Sequence, residues 1–226
     1  MIDVALLEFL KTFVLDRKLD LFNEKLNNRT RHITIALENL FQEQNASAII
    51  RTAECFGLQD IHVIENDNNF KINTDIVNGG DRWVNLHKYH PDAEQSATLK
   101  CINSLKQKGY KIIATTPHTN DCNLNDFNVA DKFALFFGEE KPGVSSEIID
   151  NADGFLKIPI YGFTESFNVS VAAAIIIHHL QNKIVNSPAI NWQLSDDEKQ
   201  EIMYNWVVKT VPKSKKVIDY YYQSKK

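Results

Sequence analysis

The sequence alternates short apolar runs with segments of helical periodicity. The strand-like runs lie at residues 33–37, 61–64, 110–115, 133–137 and 155–160. The run FALFF at 133–137 is apolar throughout, which is typical of a strand buried on both faces of a sheet. Strands that alternate with helices favour a parallel sheet with helices on both faces. The pattern therefore predicts an α/β protein built on a mainly parallel sheet.

Helix periodicity, caps and stop residues predict the elements between these strands. The predicted helices lie over residues 1–28, 46–56, 93–108, 168–184 and 195–206, with another that begins near residue 145. Asn45 is placed to cap the second helix and Gly57 to end it. Ser195 and Glu198 have the spacing of a capping box. The polar segment 65–91 is expected to be a long excursion without regular structure.

The bulk properties favour one large soluble domain. The chain has 226 residues, and no apolar run approaches the roughly 18 residues that suggest a membrane span. Three cysteines without CxxC spacing, together with an N-terminus unlike a secretory signal, favour a cytoplasmic protein. We expect a helical extension over 1–28, a central domain over 29–184, and a helical, lysine-rich extension over 185–226.

Charge is distributed unevenly along the chain. The formal net charge is −4, yet residues 209–226 contain six lysines and a single acid, Asp219. A second basic cluster near the N-terminus contains Lys25, Arg29 and Arg31. Both ends could contact phosphate groups, or they could serve solubility alone, and the charge pattern leaves both interpretations open.

Three loops of unusual composition follow predicted strands, at residues 43–52, 138–145 and 158–170. Ligands of open parallel sheets bind outside the carboxyl ends of the strands, so these loops predict a polar cleft that contains glycine. Each loop also has a local interpretation, with Asn45 and Asn168 as helix caps and Arg51 as half of an ion pair. No loop has a phosphate-binding GxxxxGK[ST] or dinucleotide GxGxxG pattern. The histidines lack HExxH spacing, and we expect no metal site.

Taken together, the three loops resemble the three motifs of the TrmH branch of the SPOUT methyltransferases. The first motif, N-x-x-A-x-x-R-T, is matched at 45–52, and the second, G-x-E-x-x-G, at 138–143. The third, I-P-M-x-G-x-x-x-S-L-N-V-S-V-A, is matched at 158–172, with Phe167 in place of Leu and Ile160 in place of Met. The order and spacing of the motifs also match. The pair His178-His179 departs from the Tyr-Glu pair that often stands there.

This resemblance implies an α/β-knot fold with a deep C-terminal trefoil knot, and S-adenosyl-L-methionine as the methyl donor. It also implies a homodimer in which the partner completes each site. By position, the cofactor-binding residues would be Thr115, Gly138, Ile158 and Phe167. The catalytic set would be Arg51, Asn45, Glu140, Ser166 and Asn168. A guanidinium with a pKa above about 12 is a poor general base, so we expect Arg51 to bind substrate phosphate and stabilise the developing oxyanion.

Within the family, the chain is most similar to the tRNA-modifying members, which methylate the ribose 2′-hydroxyl of a D-loop guanosine (the guanosine-18 type). The similarity lies in Arg29-Thr30-Arg31, in Leu37-Glu38-Asn39, and in Gly79 followed by Trp83. The candidates for contacts with tRNA are Arg29, Arg31, Arg82, Lys213, Lys215 and Lys216. The alternatives are an rRNA 2′-O-methyltransferase, a non-catalytic RNA-binding homologue, and an α/β protein that binds a small molecule.

Overall fold

The computed structural model describes residues 2–40, 42–67, 70–117, 122–139 and 141–225. The chain divides into two compact units. One is Thr30–Trp192, and the other contains both ends of the chain, up to Arg29 and from Gln193 onward. The segments expected to form separate N- and C-terminal extensions are therefore grouped in one unit.

The Thr30–Trp192 unit is built around a parallel sheet. Its described strands are β1 (Ile33–Glu38), β2 (Asp60–Ile64), β3 (Asn85–Tyr89), β4 (Lys111–Thr115), β5 (Cys122–Asn123), β6 (Phe133–Phe137) and β7 (Gly154–Lys157). They lie in the order β3-β2-β1-β6-β4-β7-β5, and each pairing between neighbours is parallel. At the centre, Ile33 of β1 lies opposite Phe133 of β6, and Leu37 lies opposite Phe137. The predicted parallel α/β sheet is confirmed.

Helices cover both faces of this sheet, as predicted. The described helices of the whole chain are α1 (Val4–Lys11), α2 (Asp16–Leu26), α3 (Glu43–Cys55), α4 (Thr74–Val77), α5 (Ala97–Gln107), α6 (Ser146–Asn151), α7 (Val169–Val185), α8 (Asp196–Thr210) and α9 (Ser214–Gln223). Successive side chains of β1 point to opposite faces. Ile35 belongs to a core that includes residues of α3 and α7, and Ala36 belongs to a second core with residues of α5 and α6.

The unit formed by the chain ends packs α1 and α2 with α8 and α9. Its buried apolar side chains include Leu10, Phe22 and Trp206, and the ring centroids of Phe22 and Trp206 are 5.3 Å apart. The guanidinium carbon of Arg29 lies 5.3 Å from the centre of a Trp206 ring. Ser195 caps α8 in the predicted capping box with the side chain three residues later.

The start of α3 differs from the prediction. The helix begins at Glu43 after the cap residue Gln42, so Asn45 lies inside the first turn and does not cap the helix. Its side-chain amide instead donates to Oε1 of Gln42 at 3.0 Å. The prediction was wrong because asparagine near a helix start gives the same local pattern whether its side chain caps the helix or faces a neighbouring loop.

The segment 65–91 has more regular structure than predicted. It contains α4, a short 3₁₀ helix at Gly80–Arg82, and β3, which pairs with β2. The sequence of β3, NLHKY, has no apolar run because this strand has a single neighbour in the described sheet and its side chains are largely half-exposed. Two element boundaries also differ from the prediction. The helix predicted over 93–108 begins at Ala97 after the cap Ser96, and the strand predicted over 155–160 ends at Lys157.

A polar cluster lies at the amino ends of β2 and β3. The Asp60 carboxylate accepts from Nε of Arg31 at 2.8 Å and Nδ2 of Asn85 at 2.9 Å, and Nε2 of His87 lies 2.9 Å away. Burial alone would raise the pKa of Asp60, but these partners hold it below its ordinary value. His62 stacks on the ring of His87 with centroids 4.8 Å apart, and burial lowers the pKa of His62 to about 3.

We expect the free energy of unfolding to fall as the pH drops below about 6.5, the ordinary histidine pKa. Folded His62 stays neutral down to a pH of about 3, whereas in the unfolded chain it takes up a proton near its ordinary pKa. The unfolded state then binds more protons, and one such group lowers stability by up to about 1.4 kcal/mol per pH unit. Urea unfolding between about pH 7 and pH 5 measures this slope.

His62→Asn should flatten the slope because the substituted side chain does not titrate. His178→Asn is the control, since His178 is exposed and its hydrogen-bond partner, Asn182, carries no charge. Equal slopes in both variants and the unaltered protein would contradict the assignment to His62.

Candidate functional site

The loops that follow β4, β6 and β7 meet at one edge of the sheet, because the carboxyl ends of parallel strands share an edge. They enclose a cavity of about 410 Å³. Its lining includes the four residues predicted to bind a cofactor: Thr115, Gly138, Ile158 and Phe167. The fold thus brings together residues that are far apart in the sequence.

The turn after β6 depends on two glycines. A Cβ at Gly138 would collide with the carbonyl oxygen of Gly143 and the backbone nitrogen of Val144. Gly143 has φ of 93°, in the left-handed region that favours glycine. The backbone N–H of Glu139 donates to the carbonyl oxygen of Gly143 at 3.2 Å. The turn therefore closes on its own backbone at the wall of the cavity.

A polar cleft of about 540 Å³ adjoins the cavity and shares part of its lining. Asn45, Ser166 and Asn168 line this cleft. Nδ2 of Asn168 donates to Oδ1 of Asn45 at 3.2 Å, which connects the first and third loops. Asn168 also caps α7, because its Oδ1 accepts from the backbone N–H of Ser170 at 2.9 Å. Its roles as helix cap and as cleft residue are therefore compatible.

Two charged residues, Glu139 and Lys141, line both the cavity and the cleft. Burial raises the pKa of the Glu139 carboxyl, and the nearby Asp67 and Glu38 carboxylates raise it further. The sequence analysis missed both residues, although their position inside the second motif could have indicated them. The neighbouring Glu140, which was predicted to be catalytic, lies outside the described residues.

Arg51 lies elsewhere on α3. Its side chain is exposed, and Nη1 donates to the carbonyl oxygen of Ile76 at 3.2 Å. Arg51 and Asn45 are separated by about 120° around the helix, so their side chains leave from different faces. Arg51 is not among the described residues that line the cavity or the cleft. Of the predicted catalytic set, Asn45, Ser166 and Asn168 line the cleft.

A sequence profile of the SpoU rRNA Methylase family matches residues 32–178, which is more than half of the chain and contains all three loops. The chain belongs to the SpoU rRNA methylase family. The resemblance to RNA methyltransferases of the TrmH type, inferred from three motifs, is confirmed.

Several relatives share the SpoU-family sequence and fold. A Borreliella burgdorferi protein named tRNA (guanosine(18)-2′-O)-methyltransferase is 41% identical over 203 residues, which cover 88% of this chain and 90% of that protein. The crystal structure of the A. aeolicus TrmH/SpoU tRNA modifying enzyme has a TM-score of 0.76 at 29% identity, and the match covers 88% of this chain and 100% of that one. The SpoU methyltransferase AviRb from Streptomyces viridochromogenes, crystallised in complex with the cofactor AdoMet, has a TM-score of 0.60 at 19% identity, over 73% and 65% of the two chains. At that identity the likeness shows the fold alone.

The basic residues predicted to contact RNA differ in exposure. Arg29 is 4% exposed, and the side chain of Arg31 is 16% exposed, both in the contacts described above. The guanidinium carbon of Arg82 lies 5.4 Å from the centre of a Trp83 ring. Three of these basic residues are exposed at the start of α9: Lys213, Lys215 and Lys216.

Two kinds of feature are absent from the described part of this SpoU-family chain. None of the described helices has the length and apolar character needed to cross a membrane. The described His, Cys, Asp and Glu side chains form no group of three or more that could hold a metal ion.

We expect Gly138→Ala to destabilise the protein by about 1–3 kcal/mol, because the added Cβ overpacks the turn after β6. Thermal unfolding would show a Tm several degrees lower for a chain of this length. Gly162→Ala is the matched control, since a Cβ there meets no atom within 4 Å. Equal Tm values for both variants and the unaltered protein would show that the turn opens readily to admit a side chain.

Proposed function

We propose that this chain transfers a methyl group from S-adenosylmethionine to the ribose 2′-hydroxyl of a guanosine in tRNA, at position 18 in the D-loop. The observation that carries this proposal is the shared lining of the cavity and the cleft, which lets a donor and an acceptor be held side by side. Holding two reactants in a reactive geometry is a large part of catalysis in group transfer. The name of the Borreliella burgdorferi relative indicates the acceptor.

The cavity fits S-adenosylmethionine in size and character. Its volume of about 410 Å³ lies within the roughly 300–1,000 Å³ of small-molecule sites. Glycine at position 138 lets the turn after β6 pack against its own backbone at the cavity wall. We assign the binding of this cofactor to Thr115, Gly138, Ile158 and Phe167, because all four line the cavity. When bound, the cofactor supplies an electrophilic methyl group on a sulfonium sulfur.

The cleft residues orient the ribose in this proposal. The hydrogen bond between Asn168 and Asn45 fixes both side-chain amides, and Ser166 adds a hydroxyl. Arg51 binds a substrate phosphate and stabilises the oxyanion, since its guanidinium stays charged and donates as a planar fork. Glu140 belongs to the same proposed set by its place in the second motif.

We further propose that Arg51 acts in the site of a second copy of the chain, because it does not line the cavity or cleft of its own chain. The protein would then be a homodimer in which each partner completes the other's site. Exposed apolar side chains near the cleft support this arrangement. Phe167 is 41% exposed, Val171 is 46% exposed and Tyr161 is 96% exposed, and a second copy would cover such a patch.

The trefoil knot is also a proposal, and the strand order supports it. β7 lies between β4 and β5 in the sheet, although both of these strands precede it in the chain. A strand that enters between two earlier strands is the order that a threaded chain would produce, and such threading would form a knot, which is very rare among folds.

We propose tRNA as the RNA partner because the named tRNA-modifying relative matches along nearly the whole length of both chains. The exposed lysines of α9, Lys213, Lys215 and Lys216, would contact phosphate, together with Arg82. Arg29 and Arg31, the other candidates, would have to leave their present partners to reach RNA. We propose the cytoplasm as the location of the protein, since tRNA is its proposed substrate.

The proposed function predicts that the purified protein, given methyl-labelled S-adenosylmethionine, labels an unmodified tRNA transcript at the 2′-oxygen of guanosine 18. A transcript with adenosine at that position is the control and should stay unlabelled. Mapping of 2′-O-methyl groups by resistance to alkaline hydrolysis locates the product. Label in rRNA fragments without label in tRNA would establish the rRNA alternative, and RNA binding without any label would indicate a non-catalytic homologue.

Arg51→Ala should lower kcat by at least about 100-fold, the usual loss for a donor to a developing oxyanion, while the cofactor Kd stays unchanged. Calorimetric titration of S-adenosylmethionine and single-turnover assays measure the two effects. Arg51→Lys should recover little activity because it loses the forked donors. Mixing inactive Arg51→Ala and Asn168→Ala subunits should restore activity if the partner supplies Arg51, and near-normal turnover by Arg51→Ala alone would refute the role.

A further inference from the structure

A buried carboxylate connects the turn after β6 to the centre of the sheet. Glu38 is the last residue of β1 and is only 3% exposed. Ser145, which caps α6, donates to this carboxylate twice, through its backbone N–H to Oε2 at 2.8 Å and through its hydroxyl to Oε1 at 2.7 Å. The turn 138–144 directly precedes Ser145, so its end is attached to Glu38.

A third hydrogen bond comes from α5. The Thr98 hydroxyl donates to Oε1 of Glu38 at 2.6 Å and accepts from Nδ2 of Asn66 at 2.8 Å. Asn66 is fixed in turn, because its Oδ1 accepts from the backbone N–H of Ala97 at 2.8 Å. The single hydroxyl proton of Thr98 is directed at Glu38, and the direction of this hydrogen bond is therefore set by the network.

The three hydrogen bonds suit a carboxylate, whose two oxygens can accept all of them. A glutamine amide has a single acceptor oxygen, so its N–H donors would face at least one of these donor groups. Burial of a charge is costly unless hydrogen bonds replace water, and bonds to an ionised group are among the stronger ones. Glutamine at position 38 would thus keep the size of the side chain but form weaker hydrogen bonds with Ser145.

We propose that Glu38 is a positioning residue for the cofactor, which through Ser145 holds the turn 138–144 in the shape that binds S-adenosylmethionine. This inference rests on the proposed function. Two contacts fix the turn: the backbone approach of Gly138 to Gly143 at its start and the hydrogen bonds of Ser145 to Glu38 at its end. Residues of this turn line the cavity, so a looser turn changes the cavity wall.

The test compares Glu38→Gln with the unaltered protein and with Glu147→Gln. In the control, the carboxylate of Glu147 accepts from the hydroxyl of Ser96, which caps α5, so the exchange also weakens a bond to a capping serine. Glu38→Gln should raise the Kd for S-adenosylmethionine and S-adenosylhomocysteine about tenfold, the effect of losing one hydrogen bond to a charged group. Binding of tRNA should not change, and Glu147→Gln should leave both affinities unchanged.

Hydrogen–deuterium exchange without any ligand gives an independent readout. Amides of the segment 138–145 should exchange faster in Glu38→Gln than in either of the other two proteins. Ser145→Ala keeps the backbone N–H and removes the hydroxyl, so its effect on cofactor affinity should be smaller, and Ser145→Thr should restore most of it. Should Glu38→Gln fail to fold, the two Ser145 variants carry the test.

The outcomes separate this inference from the proposed function. Weaker cofactor binding with faster exchange in the turn supports the positioning role. A lower Tm for Glu38→Gln with unchanged cofactor affinity overturns it and leaves the proposed function standing, as does an affinity loss of equal size in Glu147→Gln. Failure of the unaltered protein to bind S-adenosylmethionine would overturn the proposed function and this inference together.

Discussion

The pairing of β1 with β6 at the centre of the sheet determines where the chemical groups can lie. Both strands are buried, and their register places Leu37 opposite Phe137, so the chain leaves both strands at the same level. The chain continues from β1 to α3, which contains Asn45, and from β6 to the turn that begins at Gly138. Because the pairing is parallel, the first and second motifs begin side by side at the same edge of the sheet. Nearly ninety residues separate the two motifs in the chain, which is about the length that a series of crossover connections requires.

The parts of the fold that could be predicted are those where burial leaves a pattern in the sequence. The central strands are apolar because helices cover both of their faces, and the run at 133–137 identified β6 correctly. β3 was missed because an edge strand keeps polar side chains and gives no such signal. The grouping of the two chain ends in one unit could not be predicted, since residues such as Phe22 and Trp206 meet only through long-range contacts.

The residues that line the candidate cavity and cleft were named from the motifs rather than from local structure. The contact between Asn45 and Asn168 was not predicted, because the two residues lie more than a hundred positions apart and no local rule links them. The buried hydrogen bonds of Glu38, a charged residue at the end of an apolar strand, were missed for the same reason. Its donors come from α5 and from the cap of α6, and only the fold brings them within reach. A strand that ends in a charged residue is therefore a useful signal for a buried polar network.

Two different forces hold the turn that lines the cavity. At Gly138 the restraint is steric, because the absence of a side chain permits a backbone approach that any Cβ would block. At Ser145 the restraint is electrostatic, because a buried carboxylate attracts three neutral donors. A turn that is fixed before a ligand binds does not have to be ordered by that ligand. The binding free energy is then not reduced by the entropic cost of ordering the turn. In the proposed function, such a wall would hold polar groups in place while charge develops in the cleft beside it, which is the condition under which fixed dipoles favour a transition state.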